Sequence, residues 1–300
     1  MNTPTDLLEA RFLQNMARID GLAKLVSAIN PSRQTEPLLG EGVRADLFRT
    51  IVVFLHATFE DVLRTMARQR IAGATTQILN EIPLVGLSKS GNPEKFYLGA
   101  LDTHRGKTVD QLIQESVENH LDQKSFGSCR DVDLVLTQMG LDTTPFKPLY
   151  SDLDRMMKRR HRIVHDADLP TPGENVPTPW TLKDYFDLCL WNLNLLIFYA
   201  QLRVAADPTD ELNRLFLARR QTAIERLRSA REEIVALRDG SPASLILSVE
   251  KAATRLAESR TFLGPPSVEE MLVIWRKMKS PDDDTTEEQA RAKFVVVCRG

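Results

Sequence analysis

The chain has 300 residues, of which 42% are hydrophobic and 27% are charged, a composition typical of a globular protein. A chain of this length can bury one large core or two smaller ones. Its formal net charge of -2 argues against a protein that coats nucleic acid electrostatically, although it leaves room for a local basic site.

The three cysteines, Cys129, Cys189 and Cys298, share no short spacing, so neither a zinc knuckle nor a redox pair is indicated. Few cysteines are also what a reducing cytoplasm favours. The first 14 residues carry charges and lack the apolar centre of a signal peptide. No apolar run approaches the length of a membrane span. We therefore expect a cytoplasmic protein without membrane contact.

Helical periodicity dominates the first 206 residues. Thr108, Ser128 and Thr181 stand where helix N-caps are expected. Prolines and glycines between residues 73 and 106 favour a long loop, and so do those between 169 and 179. The predicted helices cover residues 6–29, 43–70, 108–121, 129–139, 148–166 and 182–205.

The dipeptide Asp207-Pro208 marks a candidate domain boundary, because the composition beyond it shifts to Arg, Glu and Ala. Helical spacing continues over residues 210–239, 245–260 and 267–278. The short apolar run at 293–298 is predicted as a lone strand. We therefore expect an all-α bundle over residues 1–206 and a helical C-terminal region over residues 207–300.

The most informative segment is the basic stretch from Arg155 to Arg162, in which five of eight residues are Lys or Arg. In a helical projection Arg160 falls near the middle of an apolar stripe, and His161 and His165 lie together on one flank. A guanidinium buried without a partner would cost several kcal/mol, so Arg160 must meet a carboxylate, a phosphate or water.

Arg160 and His165 form an R-x-x-x-x-H pair with a polar residue directly after the arginine. This pair resembles the signature of HEPN-domain ribonucleases. The wider layout is also similar to that family: a long early helix with an acidic residue, Glu60, a short helix after Ser128, and an apolar helix from Thr181 onward. The resemblance covers approximately residues 43–205.

The resemblance implies a HEPN-like bundle and a homodimeric, metal-independent endoribonuclease of toxin or defence type that needs no cofactor. A neutral imidazole suits the base that accepts the 2′-hydroxyl proton, which favours His165. Arginine suits the phosphate oxygens, which favours Arg160 as the stabiliser of the transition state. His161 and Glu60 are expected to support them. RNA-binding contacts are assigned to Lys158, Arg159 and Arg162, and a regulatory or antitoxin protein is expected to bind the C-terminal region.

Other interpretations of these residues stay open. Arg160 and Glu60 could form an internal salt bridge, or Glu60 could be an exposed helix residue. His161, His165 and Asp168 could hold a metal ion, although the cation Arg162 between the two histidines disfavours it. His56 has no evident constellation and is expected at the surface. As a different class of function, the chain could be a non-catalytic dimeric module that binds RNA, a nucleotide or a protein.

Overall fold

The computed structural model describes residues 4–28, 37–85, 98–169, 181–206, 211–238, 245–260, 267–279 and 284–299. All regular structure within these ranges is helical, which confirms the all-α prediction. The predicted boundary dipeptide Asp207-Pro208 and almost all of the loop predicted at 169–179 lie outside them. The α-helices are α1 (Pro4–Ala28), α2 (Pro37–Ile71), α3 (Thr76–Leu79), α4 (Val109–Gln123), α5 (Cys129–Gln138), α6 (Tyr150–His165), α7 (Leu182–Ala206), α8 (Glu211–Arg238), α9 (Leu245–Arg260), α10 (Val268–Met278) and α11 (Glu287–Arg299).

The chain divides into two compact units. The first comprises Met1–Tyr150 and Asp154–Asp168, and the second comprises Ser151–Leu153 and Leu169–Gly300. The division therefore does not coincide with the predicted boundary at residue 206. Helix α7 belongs with the second unit because it packs against α8 and α9.

The first unit is organised around α2. Helices α1, α4 and α5 pack against it. Its apolar residues recur with helical spacing, and this predicted stripe is largely buried, because the exposed fraction is at most 2% at Ile51, Leu55, Phe59, Val62 and Met66. Short 3-10 helices at Leu98–His104 and Thr144–Leu149 precede α4 and α6.

Two side-chain caps fix the helices that border the candidate site. Thr108 and Gln111 form a reciprocal capping box at the start of α4. Ser128 accepts a hydrogen bond from the Asp131 N–H and so begins α5. Both caps agree with the sequence prediction. Residues 124–128, between the end of α4 and the start of α5, are hereafter the α4–α5 loop.

The second unit has α7 as its core helix. Its residues from 188 to 203 are all buried, including the polar Asn192, Asn194 and Gln201. By length and composition α7 is also apolar enough to cross a membrane, contrary to the prediction that no segment approaches that length, and it is the one described helix that meets both criteria. In the structure 89% of its most apolar window is buried by the protein, as expected of a helix that is hydrophobic on all sides.

Helix α11 replaces the strand predicted at 293–298, so that prediction is wrong. Thr286 and Gln289 exchange backbone and side-chain hydrogen bonds at its start, as in a capping box. Ala290 and Phe294, one turn apart, are buried in a small cluster with residues of α10. A short apolar run does not by itself distinguish a strand from one face of a helix. Here the cap at Thr286 and the packing against α10 favour the helix.

Candidate functional site

One face of α2 holds the α4–α5 loop in place. The Nε2 atom of His56 lies 3.3 Å from the Phe126 carbonyl oxygen, and the Phe126 N–H donates to Glu60 at 3.4 Å. One turn further along, Arg64 donates to two backbone carbonyls, those of Leu121 and Lys124, at 2.7 Å each. The loop is thereby fixed against α2 at three successive helical turns.

The end of α6 is fixed by a buried ion cluster. Ala167 and Asp168 have φ angles of 50° and 60°, so the chain reverses in the left-handed region directly after the helix. This reversal turns the Asp168 carboxylate back towards α6 and α2. It accepts from Arg159 at 2.7 Å and from Arg49 at 2.9 Å, and Asp168 has no exposed surface.

Arg159 is therefore paired inside the protein and does not line the cavity described below, so the structure does not support the RNA-binding role predicted for it. Its side chain is only 7% exposed and is held by Asp168. A projection of the helix alone did not reveal this, because the carboxylate that binds Arg159 lies nine residues further along the chain, beyond the end of the helix, and reaches it through the left-handed turn.

A cavity of about 420 Å³ lies between α2, the α4–α5 loop and α6. This volume falls in the range of small-molecule sites. Most residues predicted for the site are among those that line it. The lining consists of His56, Glu60, Ser125, Gly127, Met157, Lys158, Arg160, His161 and Arg162.

The cations of this cavity form no ion pair with a carboxylate of the described residues. Among the residues that the structure describes, no hydrogen bond or ion pair occupies the side chains of Lys158, Arg160 or Arg162. The alternative salt bridge between Arg160 and Glu60 is not formed, although both residues line the same cavity. Arg160 is partly buried rather than enclosed in the core, so its charge keeps access to the solvent of the cavity.

His56 is the residue that sequence reasoning missed. It was expected at the surface, but only 3% of it is exposed and it lines the cavity. Burial lowers the pKa of His56 below its usual value, and Arg160 and Arg64 lower it further, whereas Glu60 opposes them. The available signal was the spacing of His56 and Glu60, one turn apart at the edge of the α2 stripe.

The two motif histidines lie at the exposed end of α6. The ring centroids of His161 and His165 are 4.5 Å apart. His161 lines the cavity, but His165 does not belong to the lining. The structure therefore brings Arg160 together with His161 and His56 rather than with His165.

The alternative metal site at His161, His165 and Asp168 is contradicted. Asp168 is buried under two arginines, while both histidines are exposed. Over the described part of the chain, no group of three or more His, Cys, Asp or Glu side chains is arranged to hold a metal ion.

The chain was compared with known proteins at the level of sequence and of structure. No protein-family model, no curated protein and no solved structure matches it. The resemblance to HEPN ribonucleases thus depends on the R-x-x-x-x-H pair and the helical layout, and it stays a prediction.

Proposed function

We propose that the protein is a metal-independent endoribonuclease of HEPN type. The observation that supports this most strongly is a set of three cations on α6 that line one cavity and have no carboxylate partner among the described residues: Lys158, Arg160 and Arg162. A partly buried cation is costly without a counter-charge, so a bound phosphate would stabilise this arrangement. Arginine in particular binds two phosphate oxygens at once.

The residues fit cleavage of RNA through its own 2′-hydroxyl. In this reaction the 2′-oxygen attacks the adjacent phosphorus, the bond to the 5′-oxygen breaks, and a 2′,3′-cyclic phosphate forms. Arg160 would bind the phosphate oxygens and stabilise their charge in the transition state, a contribution of about 10²–10³-fold for one such donor. A neutral imidazole would accept the hydroxyl proton, and His165 is the residue that the motif assigns to this role. The scheme needs no metal ion.

The decisive experiment follows the ends of the RNA products. The purified protein, incubated with single-stranded RNA in the presence of EDTA, should leave 2′,3′-cyclic phosphate and 5′-hydroxyl ends, as measured by mass spectrometry. Arg160→Ala should slow cleavage by about 10²-fold or more. Arg130→Ala, at an exposed arginine of α5 outside the cavity, is the matched control. Products with 5′-phosphates, or loss of activity with EDTA and recovery with Zn²⁺ or Mn²⁺, would contradict the proposal.

We also propose that two copies associate through the exposed face of α6. Lys158, His161, Val164 and His165 are all exposed and follow one another at helical spacing. Val164 is 48% exposed beside the two histidines. A two-fold interface there would bury this valine against its own copy and bring His165 of one protomer towards the cavity of the other.

Analytical ultracentrifugation at micromolar concentration tests the dimer. Val164→Asp should shift the protein towards the monomer, whereas Leu134→Asp, at a similarly exposed leucine of α5, should not. A wild type that stays monomeric with and without RNA would exclude this interface.

The second candidate function is a non-catalytic module that binds RNA, a nucleotide or a protein. It is favoured by one observation, that His165 is outside the cavity lining. Such a module would bind single-stranded RNA through Lys158, Arg160 and Arg162 and leave it intact. A cytoplasmic location, a toxin or defence role, and a regulatory or antitoxin protein bound to the C-terminal region are retained as parts of the main proposal.

A further inference from the structure

His56 is a buried titratable side chain at the wall of the proposed RNA site. It is 3% exposed, and its two ring nitrogens have different surroundings. The Nε2 atom is 3.3 Å from the Phe126 carbonyl oxygen, and the Nδ1 atom is 3.9 Å from a carboxylate oxygen of Glu60. Both neighbours are hydrogen-bond acceptors, and they constrain where the proton of the ring sits.

The Phe126 carbonyl fixes the tautomer of a neutral His56. A carbonyl oxygen can only accept, so the hydrogen must be on Nε2, which leaves the lone pair on Nδ1. The charged groups that face the ring are Glu60 and Arg64 from α2 and Arg160 from α6. Desolvation by burial and the two arginines lower the pKa of His56 below 6.5, against the effect of Glu60, so the ring is neutral at pH 7.

We propose, on the basis of the function proposed above, that His56 is the proton acceptor for the attacking 2′-hydroxyl in the same protomer's cavity. Its Nδ1 takes the hydroxyl proton while the 2′-oxygen forms the new bond to phosphorus. The bond from phosphorus to the 5′-oxygen breaks, and that oxygen takes a proton from water in the cavity. His56 then returns its proton to water, so the step changes no oxidation state and consumes no further reactant.

The surroundings of His56 suit each stage of this transfer. When Nδ1 gains a proton, the ring becomes a cation that lies between the Glu60 carboxylate and the Phe126 carbonyl, and both stabilise it. Arg160 lines the same cavity and is available for the phosphate. A base whose ring is oriented by one fixed partner and stabilised by a second is the usual arrangement in acid–base catalysis.

The position of the cavity distinguishes His56 from His165. His56 lines it, whereas His165 is exposed at the end of α6, outside the lining, with its ring next to that of His161. With His56 as the base, one protomer contains both the base and the phosphate-binding arginine. A monomeric Val164→Asp variant should then still cleave RNA. If the base were instead the partner's His165, the same variant should be inactive.

The test compares two histidines of the first unit whose pKa values are both lowered. His56→Asn should reduce kcat/KM for RNA cleavage by about 10²–10⁴-fold. The control is His120→Asn, at a partly buried histidine of α4 that does not line the cavity. Binding of a 2′-deoxy RNA analogue, followed by fluorescence anisotropy, should stay within about threefold in His56→Asn, because the phosphate contacts remain.

A pH profile separates a catalytic role from a structural one. The wild-type kcat/KM should fall on the acid side with a pKa below 6.5, because His56 becomes protonated there. Glu60→Gln removes a charge that raises the pKa of His56, so this acid limb should move to lower pH. A glutamine at position 60 can still accept from the Phe126 N–H, which preserves the loop contact, and this variant decides the question if His56→Asn fails to fold.

Each outcome has a definite meaning. A wild type that binds the RNA but leaves it intact overturns the proposed function, and the role of His56 with it. A wild type that cleaves RNA while His56→Asn stays within tenfold of it, or while Glu60→Gln leaves the acid limb in place, overturns the role of His56 alone.

Discussion

Both units pair arginines with carboxylates, and the cations at the α6 cavity contrast with those pairs. In the second unit Arg231, Arg219 and Arg255 bind Asp152, Glu270 and Glu233, and α10 and α11 are joined by the pairs Arg276–Glu287 and Arg291–Glu269. In the first unit α6 presents three cations that have no such partner among the described residues. The number of basic residues therefore does not locate a site, whereas cations that line a cavity and form no ion pair among the described residues indicate one.

The same contrast occurs between neighbouring residues of α6. Arg159 is held by Asp168 and stabilises the end of the helix, whereas Arg160 faces the cavity. A helix turns by about 100° per residue, so adjacent side chains meet different surroundings. One arginine of the basic stretch thus has a structural role, and the next is left available for a ligand.

The largest effect that we expect on stability comes from Arg159→Ala. It leaves Asp168 buried with one arginine fewer and should lower the free energy of unfolding by about 3 kcal/mol. Arg160→Ala, which breaks no ion pair, should change it by about 0.5 kcal/mol or less. Urea denaturation followed by far-UV circular dichroism measures both, and equal losses would contradict the division of roles between the two arginines.

The next effect tests the ion network of the second unit. Asp152 accepts from Asn194 at 3.0 Å and binds Arg231, so Asp152→Ala should cost about 1–3 kcal/mol. All three tryptophans of the chain lie in residues 169–300, and Trp191 and Trp275 are buried. Tryptophan fluorescence should therefore show a larger loss of stability in Asp152→Ala than in Arg159→Ala. If circular dichroism and tryptophan fluorescence gave identical shifts in both variants, the two units would unfold together.

A smaller effect is expected at the helix caps. Thr108→Ala in the first unit and Ser267→Ala in the second each remove a side chain that accepts from the backbone, at a cost of about 1 kcal/mol. Only Ser267→Ala should shift the tryptophan fluorescence transition. The replacements Thr108→Ser and Ser267→Thr, which keep the hydroxyl group, are the controls and should restore most of the stability.

The smallest expected effect is that of mild acid. All five histidines belong to the first unit, and burial lowers the pKa values of His56 and His120. The unfolded chain therefore binds more protons than the folded one below pH 6.5, so stability should fall as the pH is lowered from 7.5 to 5.5. The loss should appear in circular dichroism and be reduced in His120→Asn. An equal loss of stability measured by tryptophan fluorescence would contradict the assignment of this acid effect to the first unit.

Local patterns in the sequence predicted much of the fold. The caps at Thr108 and Ser128 and the stripe on α2 agree with the structure, because capping and amphipathic spacing depend on residues within a few positions of one another. The same reasoning identified Glu60, Lys158, Arg160, His161 and Arg162 as site residues, and all five line one cavity. It grouped the residues of α7 with the preceding helices and predicted a strand at 293–298, where α11 lies. Local patterns do not state which distant surface a segment packs against.

By itself the sequence determined that the chain is helical and that the basic stretch lies on one helix, since periodicity and charge are properties of adjacent residues. Only the tertiary structure decided which arginine is paired, because Asp168 reaches Arg159 and Arg49 through a left-handed turn. It also placed His56 in the cavity, since this histidine meets the Phe126 carbonyl across 70 residues of chain. Burial and counter-charge are set by groups far apart in the sequence, and they determine which side chains remain available for chemistry.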